Sequence, residues 1–288
     1  MKVHAIQTGT VQVHERQRAG HGRGVLRFAN TLLDRRWTEP LPIYAWVIEH
    51  PEGVIVVDTG ETARAGEPGY FPRWHPYFRI GVRERVDPEQ EIGPQLRALG
   101  IRPDDVRRVV LTHLHTDHAG GLHHFPRSEI LVTRTEYEQA KGLRGKTRGY
   151  LPHRWPAGFA PTLVDFLPEP VGPFPVSFPV TRTGDVRIVP TPGHSAGHAS
   201  VVVRDGDRVL FLAGDASYTE RNLREGVVDG VSSLGGGEAA AARTLERIRR
   251  LAAEVPLVYL PSHDPESAAR LEERRVVAAV EDRGVAAA

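Results

Sequence analysis

Four side chains that can bind a metal ion lie within six residues, in the segment His113-Leu-His115-Thr-Asp117-His118. The segment directly follows the short apolar run Val109–Leu111, which predicts a buried strand. Neutral imidazole and carboxylate groups bind borderline divalent ions such as zinc well. Alternation along an extended chain places His113 and His115 on one side, and the glycines after the cluster allow a tight turn. A solvated polar loop is the alternative, but four donors at this spacing favour a metal site.

Three further candidate ligands follow later apolar runs of the chain. They are His194 in Pro-Gly-His, Asp215 in Gly-Asp, and His263 in Pro-Ser-His. Loops at strand ends of an α/β sheet gather into one site, so we expect these side chains to join the first cluster. The combined set is sufficient for two metal ions that share a carboxylate.

Composition excludes some chemistry and disfavours some partners. The chain has 288 residues, no cysteine and a formal net charge of +1. Disulfides, thiolate ligands and a cysteine nucleophile are therefore excluded, and the charge gives no reason to expect a nucleic-acid partner. The N-terminal segment lacks the apolar stretch of a signal peptide, and no apolar run is long enough for a membrane span. We therefore expect a cytoplasmic protein with no membrane partner.

Strand and helix patterns alternate along the chain. Helices are predicted over Glu89–Leu99, Thr135–Leu143 with Thr135 as N-cap, Glu238–Ala253 and Ser267–Val280. Short apolar runs predict the strands Val3–Val13, Ala45–Glu49, Gly53–Asp58, Val109–Leu111, Ile130–Val132, Val186–Val189, Ala199–Val203, Val209–Ala213 and Leu257–Leu260. This interleaving predicts a layered α/β fold. We expect a single domain over residues 1–288, with an irregular insert at 61–88 and a proline-rich loop at 144–184.

The order of these motifs (HxHxDH, then PGH, then GD, then a late histidine) resembles the metallo-β-lactamase superfamily. The resemblance runs from about Trp46 to His263 and implies an αββα sandwich with two divalent metal ions at one edge. By position it assigns one ion to His113, His115 and His194, the other to Asp117, His118 and His263, and a bridging role to Asp215. Zinc is the expected metal, although cobalt, iron and manganese fit the same donors.

Two more residues have expected supporting roles. The resemblance implies that Asp58, at the end of the run Gly53–Asp58, supports the metal site. Ligating histidines usually need an acceptor for their other N–H group, although a simple turn acceptor is the alternative. His198 lies outside the ligand set, so we expect it to be structural or to support a ligand.

Several branches of the superfamily fit this sequence less well. True metallo-β-lactamases generally lack the bridging aspartate, and one class of them requires cysteine. Flavodiiron proteins have glutamate at the position of His115, and RNase Z-like nucleases add a basic exosite that is absent here. Glyoxalase II-like thioesterases add a helical glutathione-binding domain, whereas this sequence ends soon after one or two predicted helices.

Glyoxalase II-like thioesterases and N-acyl homoserine lactonases are the two branches that remain close. Tyr218, three residues after Asp215, discriminates between them. In N-acyl homoserine lactonases that resemble this chain, a tyrosine at this spacing contacts the substrate carbonyl; an ordinary loop tyrosine is the alternative. We predict a lactonase that opens the ring of N-acyl homoserine lactones, and so quenches quorum sensing, through a hydroxide held between two ions. Tyr218 would stabilise the oxyanion, and Asp117 would pass a proton to the leaving alkoxide. Another ester or thioester hydrolase (glyoxalase II-like or organophosphate-cleaving) and, less favoured, a nuclease remain as alternatives.

Aromatic residues early in the chain are candidates for the substrate pocket. We predict that Phe28, Trp37 and Trp74 line an apolar channel for the acyl chain. Core packing or a dimer contact is the alternative for each of them. Because similar lactonases with long inserts are often dimers, we also expect a homodimer.

Overall fold

The computed structural model describes residues 1–232 and 237–278. In that part of the chain the strands are β1 (Lys2–Val13), β2 (Leu41–Glu49), β3 (Val54–Val57), β4 (Val82–Arg85), β5 (Val106–Val110), β6 (Glu129–Thr133), β7 (Thr162–Val164), β8 (Phe178–Pro179), β9 (Val186–Pro190), β10 (Ala199–Asp205), β11 (Arg208–Gly214) and β12 (Leu257–Pro261). They form a seven-stranded sheet of order β4-β1-β2-β3-β5-β6-β7 and a five-stranded sheet of order β12-β11-β10-β9-β8.

The α-helices occupy the outer layers and the edges of the molecule. They are α1 (Glu15–Arg18), α2 (Gly24–Leu33), α3 (Pro76–Ile80), α4 (Ile92–Ala98), α5 (Thr116–Ala119), α6 (Arg134–Ala140), α7 (Gly142–Thr147), α8 (Glu220–Glu225), α9 (Glu238–Glu254) and α10 (Ser267–Glu273). Short 3-10 helices lie at Ala63–Gly66, Pro88–Gln90, Pro103–Asp105, Gly120–His124 and Pro152–Arg154. No helix of residues 1–232 and 237–278 is long and apolar enough to cross a membrane.

The two sheets pack against each other through alternating apolar side chains. In β2, Trp46 and Ile48 belong to the core that includes Val201 and Leu260 of the second sheet. Their neighbour Val47 faces the other side, where it packs in a core with Leu96 of α4. This period of two is what a strand requires when both faces of its sheet are covered.

A third apolar core covers the outer face of the second sheet. Leu245, Ile248 and Leu251 of α9 pack there with Phe211 and Tyr259. The helices and sheets therefore form four layers, and the predicted αββα sandwich is confirmed.

The predicted helix boundaries need correction. Thr135 was expected to cap a helix, but the structure begins that helix at Arg134, and the Thr133 side chain accepts from the Glu136 amide. The helix expected from Glu89 begins as α4 at Ile92, because a separate 3-10 helix occupies Pro88–Gln90. The last helix ends at Glu273, where Arg274 adopts a left-handed conformation with φ of 52°. The end of its predicted range, residues 279–280, lies outside the described residues.

Both segments predicted to be irregular contain regular structure. The insert at 61–88 holds α3 and β4, and β4 pairs with β1 through register Thr10 to Arg85. The loop at 144–184 contains β7, which extends the first sheet, and β8, which extends the second. All three strands are short, and the partners of β4 and β7 are distant in sequence, whereas β8 has two residues and pairs with the neighbouring β9. Local patterns therefore did not indicate them. The helix α2 was also not predicted.

The sheet topology brings the predicted ligands to one edge. Parallel pairs join β3 with β5 and β11 with β12, and β9 runs in the direction of β11 because both are antiparallel to β10. The carboxyl ends of these strands lie immediately before the candidate ligands. Two backbone hydrogen bonds join the sheets at this edge, from the Ala199 amide to the Thr112 carbonyl and from the Tyr44 amide to the Ser262 carbonyl.

Packing of α9 predicts a large effect of truncating its buried face. Ile248 is fully buried, so Ile248→Ala leaves a cavity and should lower the free energy of unfolding by about 2–5 kcal/mol. Chemical denaturation checks this, with Arg250→Ala on the exposed face of the same helix as the control. Equal stability of the two variants would contradict the described packing.

Candidate metal centre

The histidine-rich segment bridges a strand and a short helix. β5 ends at Val110, His113 and His115 follow in extended backbone, and α5 then carries Asp117 and His118. His113 and His118 are fully buried. The change from extended chain to helix brings the four side chains into two adjacent groups.

Three ring nitrogens converge in a first donor group. His113 Nε2 lies 3.0 Å from His115 Nδ1, which lies 3.0 Å from His194 Nε2. The other nitrogen of His113, Nδ1, lies 3.1 Å from the Thr112 hydroxyl. If the Nδ1 proton points at that hydroxyl, Nε2 presents a lone pair to the group. Lone pairs that face one another at this distance favour a cation between them.

Asp117, His118 and His263 form a second donor group. His263 Nε2 lies 3.4 Å from Asp117 Oδ2, and His118 Nε2 lies 3.8 Å from the same oxygen. Asp215 lies between the two groups. Its Oδ1 is 3.3 Å from His118 Nε2, and its Oδ2 is 3.5 Å from His194 Nε2. One carboxylate oxygen therefore faces each group.

The residues present fit two divalent ions. Within the described ranges, His118 Nε2 and Asp215 Oδ1 are buried and have no hydrogen-bond partner. Such orphaned polar atoms are costly unless something else satisfies them. Imidazoles and carboxylates that converge in two groups around a shared aspartate are a donor set for two transition-metal ions.

The outer nitrogens of the ligand histidines are held by fixed acceptors. His118 Nδ1 donates to Asp58 Oδ2 at 2.8 Å, and His263 Nδ1 donates to the Pro42 carbonyl at 2.8 Å. Asp58 also accepts from the amide and the hydroxyl of Thr112. Such partners fix ring orientation and tautomer, and the placement of Asp58 is the one expected for a supporting residue.

Charge balance in the centre also favours cations. Burial would lower the pKa of His263, but Asp215 and Asp117 raise it to about 10. Burial likewise opposes the charged form of His118, and Asp215 and Asp58 raise its pKa well above the usual value. Protons on these rings thus balance the carboxylates in the metal-free centre. Metal ions would displace those protons on binding.

His198 lies behind Asp215, outside both donor groups. Its Nε2 accepts from the Asp215 backbone amide at 3.0 Å, and its Nδ1 contacts the Thr191 carbonyl at 3.1 Å. Gly214 precedes Asp215 with φ of 54°, and a Cβ there would lie 2.8 Å from His198 Nε2. Glycine is therefore required for the close turn that presents the Asp215 side chain.

Two buried carboxylates that the sequence motifs do not indicate, Glu136 and Asp229, lie beside the ligands. Glu136 accepts from the Leu114 amide at 3.0 Å and the Ser195 hydroxyl at 2.6 Å, and so braces the loops that carry His115 and His194. Asp229 Oδ2 lies 3.7 Å from His194 Nδ1. Neither residue belongs to a motif, so only the distance in space reveals its role.

A cavity of about 330 Å³ opens beside the two donor groups. Tyr218 lies on its wall with its ring stacked 5.5 Å from that of His263. Gln17 Nε2 donates to the hydroxyl oxygens of Tyr218 and Tyr77, each at 2.8 Å. Because both phenol oxygens accept from Gln17, their own protons remain free to donate into the cavity. The sequence gives no signal for Gln17, which belongs to no motif.

The predicted aromatic lining needs correction. Phe28 lines the cavity, but Trp37 and Trp74 do not. Trp37 packs against His14, with 4.4 Å between ring centroids, and beneath the Arg83 guanidinium. Trp74 is 56% exposed at the surface. Sequence position near other aromatic residues did not indicate which rings turn inward.

A family model described as the metallo-beta-lactamase superfamily matches residues 38–263, which include both donor groups. The chain belongs to this superfamily. Membership implies divalent metal ions at the site. The match covers every predicted ligand, from His113 to His263.

Individual superfamily members resemble the chain over most of its length. N-acyl homoserine lactonase AttM of Rhizobium radiobacter is 31% identical, with 79% of this chain and 83% of the relative covered. N-acyl homoserine lactonase AiiA of Bacillus thuringiensis subsp. kurstaki is 30% identical, with 78% and 82% covered. A solved N-acyl homoserine lactone hydrolase, with N-hexanoyl-L-homoserine bound at its metal centre, superposes with a TM-score of 0.71. The two chains are 24% identical, and 96% of each is covered, so this likeness supports the fold.

Two buried histidines should differ in their effect on metal content. His263→Ala removes a donor of the second group, so we expect about one metal ion less per chain. His198→Gln removes only support for Asp215, so it should weaken metal binding about 10–100-fold and leave both ions in place at saturating metal. Elemental analysis of both variants tests this assignment, and loss of one ion in both would show that His198 is a ligand.

Proposed function

We propose that this protein is a metal-dependent lactonase that opens the ring of N-acyl homoserine lactones. The observation that carries the proposal is the position of Tyr218 on the wall of the cavity beside both donor groups, where its hydroxyl group bonds Gln17 of the same wall. Similarity to two named N-acyl homoserine lactonases supports the same substrate class. Hydrolysis of these signals would make the protein a quorum-quenching enzyme.

Two divalent ions, held by the seven ligands, would supply Lewis acidity and lower the pKa of water. Zinc is the metal that we propose, since imidazole and carboxylate ligands suit it. The chain's own contribution is to place the donors and exclude water. His263, His194 and Asp215 line the cavity, so a substrate held there meets the donor groups directly.

Tyr218 is proposed to donate a hydrogen bond to the lactone carbonyl. Burial raises the pKa of Tyr218 well above its usual value, as do Tyr77 and Asp215, so the phenol keeps its proton at neutral pH. The Gln17 amide fixes the hydroxyl oxygen without using that proton. A donor held in this way stabilises negative charge as it develops on the carbonyl oxygen.

Asp117 is proposed to move a proton to the leaving alkoxide. Burial opposes its charged form, but His118 and His263 lower its pKa to about 2. The carboxylate is therefore ionised at neutral pH and can accept a proton before passing it on. Its place on the cavity wall puts it beside a substrate held there, where a proton carrier is needed.

Cytoplasmic location and a homodimer are also part of the proposal. Val25, Leu26 and Leu33 of α2 are large apolar side chains that remain exposed. Contact between copies would remove this surface from water. Light scattering of the purified protein measures the oligomeric state directly.

A substrate panel on metal-quantified protein tests the proposed function. It contains N-acyl homoserine lactones, a γ-lactone, lactoylglutathione, a paraoxon-type triester and a β-lactam. We expect fast hydrolysis of the acyl homoserine lactones only. Fast turnover of the thioester or the triester, with the lactones untouched, would overturn the branch assignment.

Removing one hydroxyl group tests the role of Tyr218. Tyr218→Phe should lower kcat for a lactone about 10²–10³-fold, because a donor to the developing oxyanion is lost. The KM should change much less. Tyr259→Phe is the matched control, since that buried hydroxyl bonds Ser217 and lies outside the cavity wall. An unchanged kcat in Tyr218→Phe would remove this residue from the mechanism.

The cavity wall predicts which aromatic residue governs chain-length preference. Phe28→Ala should change the ratio of kcat/KM for long and short acyl chains, because it widens the cavity and removes part of its apolar wall. Trp37→Ala and Trp74→Ala should leave that ratio unchanged. Kinetics with a series of acyl lengths measure it, and an effect confined to the tryptophan variants would contradict the cavity described above.

A further inference from the structure

A second cluster of metal-ligating side chains lies apart from the dinuclear centre. Glu91 precedes α4, while His123 and His124 end the 3-10 helix Gly120–His124. Glu91 Oε2 lies 2.6 Å from His124 Nε2 and 3.2 Å from His123 Nε2. None of the three residues belongs to either donor group of the metal centre.

We propose that Glu91, His123 and His124 bind one additional divalent transition-metal ion. Their three donor atoms lie within 4.8 Å of one another. An ion with bonds of about 2.0–2.2 Å in tetrahedral geometry separates its donors by roughly 3.4 Å, so small side-chain shifts suffice. Two imidazoles and one carboxylate suit zinc, nickel or copper better than calcium or magnesium.

The carboxylate of Glu91 is already fixed in the orientation that the site needs. Its Oε1 accepts from the Thr62 hydroxyl at 3.0 Å and from the Ala63 amide at 2.8 Å. These bonds turn Oε2 towards the two imidazoles. The ligand therefore loses little conformational freedom when an ion binds.

Both imidazole rings are also held in place. His123 Nδ1 donates to the Gly120 carbonyl at 3.2 Å, which leaves the Nε2 lone pair of the neutral ring pointing at the carboxylate. Such a contact between two acceptors is unfavourable unless a proton or a metal ion lies between them. His124 packs on Gly93, where a Cβ would lie 2.4 Å from His124 Nδ1. Any larger residue at position 93 would displace this ring.

The environment favours the ligating form of His124. Burial lowers the pKa of His124 more than the contact with Glu91 raises it, which favours the neutral ring. His123 is about half exposed, with 48% of its side chain accessible, which leaves room for a water as the fourth ligand. The positive charge of Arg97 predicts weaker binding here than at the dinuclear centre.

An ion at this site would join three segments of the chain. Glu91 ties the start of α4 to Thr62 and Ala63, and the two histidines belong to the helix that follows the catalytic motif. Gly121 in that helix donates to Thr59, which in turn contacts the His118 carbonyl. The ion would therefore brace the backbone behind His118.

Zinc titration of protein that already holds its two ions tests this proposal, with calorimetry and elemental analysis as readouts. The wild-type chain should bind one further zinc equivalent, and its melting temperature should rise. His123→Gln should weaken that event at least tenfold and keep the first two ions, because this exposed side chain can change without disturbing the core. His21→Gln, at another exposed histidine, is the matched control and should behave like wild type.

Two results would overturn the proposal. One is the absence of a third equivalent in the wild type, which would reduce the cluster to a hydrogen-bonded contact between Glu91 and the two imidazoles. The other is equal binding of the third equivalent by His123→Gln and wild type, which would place the ion elsewhere. Neither result depends on lactone hydrolysis, so failure here is distinct from failure of the proposed function.

Discussion

The buried carboxylate of Asp215 is the constraint on which the rest of the centre depends. It lies between the two donor groups, with one oxygen towards each, and it is buried at the inner end of the cavity. A buried charge of this kind is tolerated only when opposite charges surround it. The fold must therefore place cationic or metal-binding side chains around Asp215 from several directions. His118, His194 and His263 come from three different strand ends to do so.

The contact between the two sheets brings these side chains together around Asp215. The ligands after β5, and Asp58 after β3, belong to one sheet, whereas the ligands after β9, β11 and β12 belong to the other. Backbone hydrogen bonds from Ala199 to Thr112 and from Tyr44 to Ser262 fix the two sets against each other. The apolar core between the sheets, with Trp46 at its centre, keeps that alignment rigid. Precision at the metal centre thus derives from packing well away from it.

Local sequence patterns predicted which helices and strands are present better than they predicted where these elements begin and end. The alternating runs gave the main strands, and the spacing of Leu245, Ile248 and Leu251 gave α9, because burial of one face imposes a period. The N-cap of α6 is Thr133 and not the predicted Thr135. Both threonines have a hydroxyl group that could cap the helix, and the tertiary contacts of Glu136 select Thr133. The short strands β4 and β7 depend on partners distant in sequence, and β8 has only two residues, which is too few to show a period.

The sequence by itself determined the donor set and its order along the chain. Ligand chemistry depends on residue type, and strand alternation with a following turn is a local property. The ligand cluster from His113 to His118 could therefore be predicted from the sequence directly. Only the tertiary structure decided which other side chains meet that set. Gln17 and Tyr218 are 201 residues apart and share a hydrogen bond, and Phe28 enters the cavity while Trp37 and Trp74 remain outside. Such contacts depend on how the sheets and loops pack, which no local pattern encodes.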